Sequence, residues 1–283
     1  MEIKKTINNI LQLLYGIFSG ITVIVLFFVC AFLLKVFVKK DKPPKTGKTK
    51  SEKVVINEDS TNQGIHKYYL SHQSWTDFNG KQHELPFKVG YQNVLRSAKN
   101  RKDLRLFYNG DHIRYWGTFY RNLADHDQPL VEELARTFFD YQKGKNMSRL
   151  EFAELMITAI QDIPYTLILS RACSPEDRKP CVGNVKSGLY APAEFVANLS
   201  GDCDTRTVLL FTLLSRFKYD VAILNSVFYK HSILGLHINS TGKYKTYKRR
   251  KYYFVETTTR RNPIGYLHPE YSETNYWDVV LTN

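Results

Sequence analysis

One cysteine, one histidine and one glutamate in the second half of the chain have the types and order that thiol-based acyl transfer requires. Cys203 follows Gly201 and Asp202, where an irregular stretch gives way to a helical pattern. A cysteine at a helix N-terminus meets the positive end of the helix dipole and unpaired backbone amides, which stabilise the nucleophilic thiolate. The same position also suits a buried, inert thiol, and residues 201–207 alone do not separate the two interpretations.

A nucleophilic cysteine needs a base and a group that orients the base. His231 begins one strand-like segment, and Glu256 ends another. Adjacent antiparallel strands would place these two side chains together, beside the helix that begins near Cys203. His237 is a rival base, because it lies an even number of positions from His231 and so shares its sheet face.

The surrounding pattern predicts the elements that must position these residues. Alternating and β-branched runs favour strands, whereas apolar residues three and four apart favour helices. The order predicts an α+β fold, since no βαβ alternation is present. The predicted strands are two at 67–89 around a turn at 77–80, an extended pair at 104–108 and 112–116, and three at 221–228, 232–238 and 252–257. The predicted helices are 129–141, one capped by Ser148 with Glu151 three residues later, and 205–217, with a long irregular loop at 166–200.

Four blocks between about residues 150 and 258 resemble, in order, segments of the bacterial transglutaminase-like superfamily. They are AIQDIPY at 159–165, GDCD at 201–204 with the leucines after it, HSILGL at 231–236 and YFVETT at 253–258. The resemblance implies a papain-like core in which the nucleophile begins a helix that packs on an antiparallel sheet. It implies Cys203 as nucleophile, His231 as base and Glu256 as orienting group, and it favours His231 over His237. It also implies Gln161 and the Cys203 backbone amide as oxyanion-hole donors.

The reaction implied is acyl transfer from an amide, with a thioester on Cys203. Release by water would make the chain a cysteine protease or amidase, and release by an amine would make it a crosslinking enzyme. Hydrolysis is favoured because many bacterial relatives resemble cysteine proteases. The alternative is a catalytically silent domain that binds a protein or peptide at the membrane. No cofactor or metal is expected, because no Cys or His cluster has the spacing of a metal site.

Composition and charge limit the class of protein and the partners that the chain can have. With 43% hydrophobic and 14% aromatic residues among 283, the chain is not wholly disordered, and four cysteines exclude a disulfide-dense scaffold. The net charge is +13, but residues 1–53 hold ten lysines and three acids, which is about half of the excess. The basic run at 243–251 is read as a solvated hairpin tip. Anionic lipid head groups and nucleic acid are the alternatives for this run. The lysines after the apolar segment favour anionic head groups, so nucleic acid is an unlikely partner.

An apolar segment near the N-terminus predicts a membrane anchor. Residues 6–34 contain no charge, and the densest 22 of them would span roughly 33 Å as a helix. The predicted organisation is an anchor at 1–40, embedded through residues 7–38, then a flexible basic tether at 41–64, a β-rich part at 65–128 and a transglutaminase-like catalytic core at 129–283. Lysines after the anchor give a slight preference for a cytoplasmic domain.

Two further cysteines lie in the predicted loop, with seven residues between them. A Cys173–Cys181 bridge would favour an oxidising compartment, but two free thiols are the preferred interpretation.

Overall fold

A computed structural model describes residues 55–61 and 64–283 and shows an α+β fold with mainly antiparallel sheets. The strands are β1 (Val55–Thr61), β2 (Gly64–Thr76), β3 (Gln82–Gly90), β4 (Leu167–Ile168), β5 (Cys181–Val182), β6 (Asp220–Ser226), β7 (His231–His237), β8 (Tyr244–Tyr247), β9 (Arg250–Val255) and β10 (Asp278–Thr282). The helices are α1 (Tyr91–Asp103), α2 (His112–Asp127), α3 (Glu132–Lys145), α4 (Arg149–Asp162), α5 (Pro192–Asn198) and α6 (Cys203–Arg216). The α+β prediction is therefore confirmed.

The five-stranded sheet has the order β10-β6-β7-β9-β8, and all of its neighbouring strands are antiparallel. Helix α6 packs on β6 and β7, and its apolar side chains are almost continuously buried. This explains the sequence of α6, since a helix that is apolar nearly all round belongs inside a core. Trp277 and Phe254 belong to a second buried cluster formed with residues of the same sheet.

The smaller sheet joins β1, β2 and β3 and packs against α3 and α4. Trp75 on β2 is buried, and its indole Nε1 donates a hydrogen bond to Thr158 Oγ1 on α4 at 3.1 Å. The turn between β2 and β3 forms as predicted, because Asp77 Oδ1 accepts bonds from the amides of Asn79 and Lys81, both at 2.9 Å.

The predicted start of α4 is confirmed by a reciprocal cap. The Ser148 hydroxyl accepts a bond from the Glu151 amide, and the Glu151 carboxylate accepts one from the Ser148 amide at 2.7 Å. Two of the four unpaired amides that every helix start leaves exposed are satisfied in this way.

The extended pair predicted at 104–108 and 112–116 is wrong. Residues 104–111 are irregular, and α2 begins at His112 with Asp111 as its cap, since Asp111 Oδ1 accepts from the Arg114 amide at 2.9 Å. Aromatic residues favoured a strand, but Phe119, Tyr120 and Leu123 all lie on the buried face of the helix.

The stretch 65–128 therefore holds α1 and α2 as well as strands. The predicted loop at 166–200 is also more ordered than expected, because it contains β4, β5 and α5.

The predicted anchor through residues 7–38 lies outside the described residues. Within the described part of the chain, no helix is long and apolar enough to cross a membrane. The predicted tether at 41–64 is only partly described. Its residues 55–61 form β1, which pairs with β2 in the register Val55↔Leu70 to Thr61↔Gly64. A flexible tether is therefore wrong for those seven residues.

Candidate active site

Cys203 is the first residue of α6. The Asp202 side chain caps this helix, with its Oδ1 accepting from the Thr205 amide at 3.1 Å. Close packing requires glycine two residues earlier, because a Cβ on Gly201 would lie 2.7 Å from Thr205 Cγ2. The Cys203 side chain is nearly buried, at 8% exposure, and its thiol is the free one among the described cysteines.

His231 and Glu256 meet where β7 begins and β9 ends. His231 Nε2 lies 3.0 Å from Glu256 Oε2. The other carboxylate oxygen, Oε1, accepts bonds from the amides of Thr257 and Thr258 at 2.8 and 2.9 Å and from the Thr258 hydroxyl at 2.7 Å. The carboxylate is thus held on both oxygens, and it occupies Nε2 of the His231 ring.

The electrostatics of this pair favour a charged glutamate. Burial alone would raise the pKa of Glu256, but the hydrogen bond and charge of His231, with the Thr258 bonds, outweigh it and lower the pKa to about 2. The His231 ring packs against two aromatic rings, with centroids 5.2 Å from Tyr271 and 5.9 Å from Trp277. Packing and the carboxylate together fix the orientation of the imidazole.

Cys203 lies beside the start of β7. The Ser232 backbone amide lowers the pKa of the Cys203 thiol, and Thr207 Oγ1, one turn along α6, donates to the Ser232 carbonyl at 3.3 Å. Since Ser232 directly follows His231, the helix start and the His–Glu pair converge. The structure therefore places the start of α6 beside the strand that carries His231, which is hydrogen-bonded to Glu256.

The charge state of the thiol differs from the expectation of a stabilised thiolate. Burial raises the pKa of Cys203 well above its ordinary value, and the carboxylates of Asp204 and Asp202 raise it further. Burial and the charge of Asp204 also raise the pKa of Asp202 to about 7. These carboxylates and the low exposure outweigh the helix dipole, so the resting form of Cys203 is the neutral thiol.

Asp204 belongs to a buried polar network that sequence reasoning missed. Its Oδ1 accepts hydrogen bonds from the Tyr120 hydroxyl at 2.6 Å and the Ser232 hydroxyl at 2.5 Å. Asn225 Nδ2 donates to the Ser232 hydroxyl at 2.8 Å. The network joins α2, α6, β6 and β7 directly behind the thiol. Tyr120 lies 84 residues from Asp204, so no local pattern could have indicated the contact.

Gln161 is buried, but its amide is not free to donate into the site. Its Nε2 donates to the carbonyl oxygens of Glu256 at 2.7 Å and Asn262 at 2.9 Å. Both amide hydrogens are thereby used, and Oε1 has no partner among the described residues. In this arrangement Gln161 holds the backbone at Glu256, and the geometry does not support the predicted oxyanion-hole donor.

Arg206, on α6, is fully buried, and among the described residues its guanidinium donates to backbone carbonyls alone. Its guanidinium binds Gly201 O at 3.0 Å, Thr257 O at 3.2 Å, and both Ile160 O and Ile163 O at the end of α4, at 2.7 and 2.5 Å. Burial lowers the pKa of Arg206 to about 10. One side chain therefore ties together the segments that carry Gln161, Cys203 and Glu256.

The rival base His237 lies at the opposite end of β7, about 20 Å from His231 at the usual rise of a strand. It is exposed, and its Nδ1 is 3.0 Å from the Lys251 carbonyl oxygen. The structure thus separates His237 from the thiol.

Cys173 and Cys181 form a disulfide, so the preferred prediction of two free thiols is wrong. The bridge forms because β4 and β5 pair in parallel and fold the intervening loop back on itself. No group of His, Cys, Asp or Glu in the described ranges is arranged to hold a metal ion.

The basic stretch forms the β8–β9 hairpin, with Lys248 and Arg249 in left-handed conformations at its turn.

Comparisons with protein-family models, with curated proteins and with solved structures find no match to this chain.

Proposed function

We propose that the chain is a membrane-anchored cysteine protease or amidase of the transglutaminase-like type, acting through Cys203, His231 and Glu256. The observation that carries the proposal is the His231–Glu256 hydrogen bond at 3.0 Å, formed beside a cysteine at the start of a helix. The sequence resemblance assigns the same three residues to these roles. The substrate is a protein or peptide amide at the membrane, where an anchor through residues 7–38 would concentrate it.

The reaction begins from the neutral thiol. As Cys203 Sγ attacks the amide carbonyl carbon, His231 Nδ1 accepts the thiol proton, and Glu256 stabilises the imidazolium that forms. The tetrahedral intermediate collapses, the C–N bond breaks, and His231 returns the proton to the departing amine. Water then attacks the thioester with His231 again as base, which releases the acid and restores the thiol.

The oxyanion requires donors near the start of α6. The Cys203 backbone amide belongs to the first turn, where amides have no intrahelical acceptor, so it is available to the developing charge. Gln161 acts in this proposal through Glu256, since it holds the backbone of that residue.

The Cys173–Cys181 disulfide bears on which side of the membrane the described residues occupy. Bridges persist in oxidising compartments and are rare in the cytosol. We therefore place residues 64–283 on the oxidising side of the membrane, which reverses the slight cytoplasmic preference drawn from the lysines.

The test is the alkylation of Cys203 by iodoacetamide in the full-length chain, followed by mass spectrometry of the Cys203 peptide across pH. His231→Ala should slow alkylation at pH 7 by about 100-fold, the lower end of the usual contribution of a general base. His237→Ala is the matched control, because this exposed histidine lies at the far end of the same strand. Equal rates in wild type and His231→Ala would refute the proposal.

A silent binding domain is the second candidate, favoured by one set of observations. The thiol is nearly buried, its pKa is raised, and the Gln161 amide is committed to backbone carbonyls. That alternative predicts a Cys203 that is alkylated only after denaturation.

A further inference from the structure

Arg178 stacks on Tyr165, a residue whose backbone pairs with the segment that leads into the proposed nucleophile. Its guanidinium carbon lies 4.6 Å from the centroid of the Tyr165 ring. The Tyr165 backbone forms a parallel bridge with Gly201, two residues before Cys203. Stacking on Tyr165 therefore places a cation beside the segment that leads into the thiol.

Arg178 has no carboxylate partner among the described residues, although one lies next to it in sequence. The Asp177 carboxylate is bound by Arg171 through two bonds at 2.6 and 2.8 Å, and it also accepts from the Ser174 amide at 2.7 Å. Lys179 donates instead to the Ser174 carbonyl at 2.9 Å. The loop thus pairs Asp177 with Arg171 and leaves the exposed guanidinium of Arg178 without a carboxylate partner among the described residues.

The loop that carries Arg178 is anchored before any substrate arrives. The Cys173–Cys181 bridge closes it, and Leu167 N donates to Pro180 O at 2.9 Å. The Asn184 amide also donates to Arg171 O at 2.9 Å. A guanidinium on such a support loses less conformational freedom on binding than one on a free loop.

A second tyrosine, Tyr271, lies within the electrostatic reach of Arg178. Burial raises the pKa of the Tyr271 hydroxyl, the charges of Glu270 and Glu256 raise it further, and Arg178 opposes the rise. Tyr271 also packs on the His231 ring. The charge of Arg178 thus acts on both Tyr165 and Tyr271.

We propose that Arg178 binds a carboxylate of the substrate beside the scissile amide, so that the preferred acyl donors are acidic peptides. The inference rests on the proposed function, since it assigns a substrate class to the same site. An arginine fork matches a carboxylate with two parallel hydrogen bonds, and a peptide supplies that group from an acidic side chain or from its C-terminus.

The test compares two alkylating reagents that differ in one group. Iodoacetate carries a carboxylate and iodoacetamide a neutral amide, and both transfer their carbon to Cys203 with loss of iodide. The rate ratio of iodoacetate to iodoacetamide is measured on the full-length chain, with the denatured chain as reference. We expect the ratio to fall by about tenfold in Arg178→Gln. Lys248→Gln, which removes the same charge at the β8–β9 turn, should leave it unchanged.

A second measurement keeps the inference testable without thiol reactivity. Isothermal titration calorimetry compares acetyl-Ala-Glu-Ala-amide, acetyl-Ala-Gln-Ala-amide and acetyl-Ala-Gln-Ala with a free carboxyl end. Weaker binding of either anionic peptide by about tenfold in Arg178→Gln supports the inference and identifies the source of the carboxylate.

The outcomes separate the two proposals. An unchanged alkylation ratio, or unchanged peptide affinities where Cys203 does not react, would overturn the role of Arg178. A folded chain whose Cys203 reacts with neither reagent contradicts the proposed nucleophile and leaves Arg178 to be decided by the peptides.

Discussion

The Glu256–His231 pair allows a quantitative prediction, because the lowered pKa of Glu256 means that its charged form stabilises the folded state. The pKa of Glu256 falls from 4.5 to about 2, despite the burial that opposes it. At about 1.4 kcal/mol per unit, this corresponds to roughly 3 kcal/mol of stabilisation in the folded state. We therefore expect Glu256→Gln to lower the free energy of unfolding at pH 7 by about 3 kcal/mol.

The pH dependence has a definite sign. Since the folded-state pKa of Glu256 lies below that of the unfolded chain, the stabilisation is complete above about pH 5 and is lost as the pH falls toward 2. The difference between wild type and Glu256→Gln should shrink by about 2 kcal/mol between pH 6 and pH 3. The assay is urea unfolding followed by far-ultraviolet circular dichroism at each pH.

An exposed histidine–glutamate pair supplies the control. His268 Nδ1 lies 3.8 Å from Glu270 Oε2, and both side chains are largely exposed. Glu270→Gln should change stability by less than about 0.5 kcal/mol at any pH, because solvent screens such pairs. A difference between wild type and Glu256→Gln that stays constant from pH 6 to pH 3 would refute the reasoning.

Two further predictions concern residues behind the thiol. Asp204→Asn removes a carboxylate that raises the pKa of Cys203, so the midpoint of the alkylation rate against pH should fall by roughly one unit, while the exposed Asp125→Asn leaves it unchanged. A midpoint that does not move would show that the Asp204 carboxylate does not raise the pKa of the Cys203 thiol. Arg206→Met leaves four backbone carbonyls without their donor and should cost at least about 3 kcal/mol in urea unfolding, with little recovery in Arg206→Lys. Wild-type stability in the Arg206→Lys variant would contradict the requirement for a planar guanidinium at this position.

Local chemistry explains what could be predicted from sequence. The Ser148 cap, the Asp77 turn and the apolar character of α6 each depend on residues within a few positions of one another. The meeting of His231 and Glu256 was also predictable, because strand ends on neighbouring antiparallel strands lie close together.

The wrong predictions concern features that depend on contacts between segments distant in sequence. The start of α2 resembles a strand because aromatic residues suit both strands and the buried faces of helices. Its helical pattern is recognisable only once the helix packs on β10, where Gly117 lies close to the Val280 carbonyl oxygen. The neutral state of Cys203 depends on Asp204 and on burial, which only the folded chain provides. The Cys173–Cys181 bridge likewise required the pairing of β4 with β5.

The carbonyls bound by Arg206 have a dynamic consequence. Helix α4, the start of α6 and the segment after β9 share one guanidinium, so none of them can open alone without exposing a buried charge. We expect these segments to exchange their amide hydrogens as one cooperative unit. The disulfide loop holds none of those carbonyls, and its bonds lie in a more exposed part of the surface. The disulfide loop should therefore exchange as a separate unit, held by its own bridge and hydrogen bonds, while the groups beside the thiol exchange together.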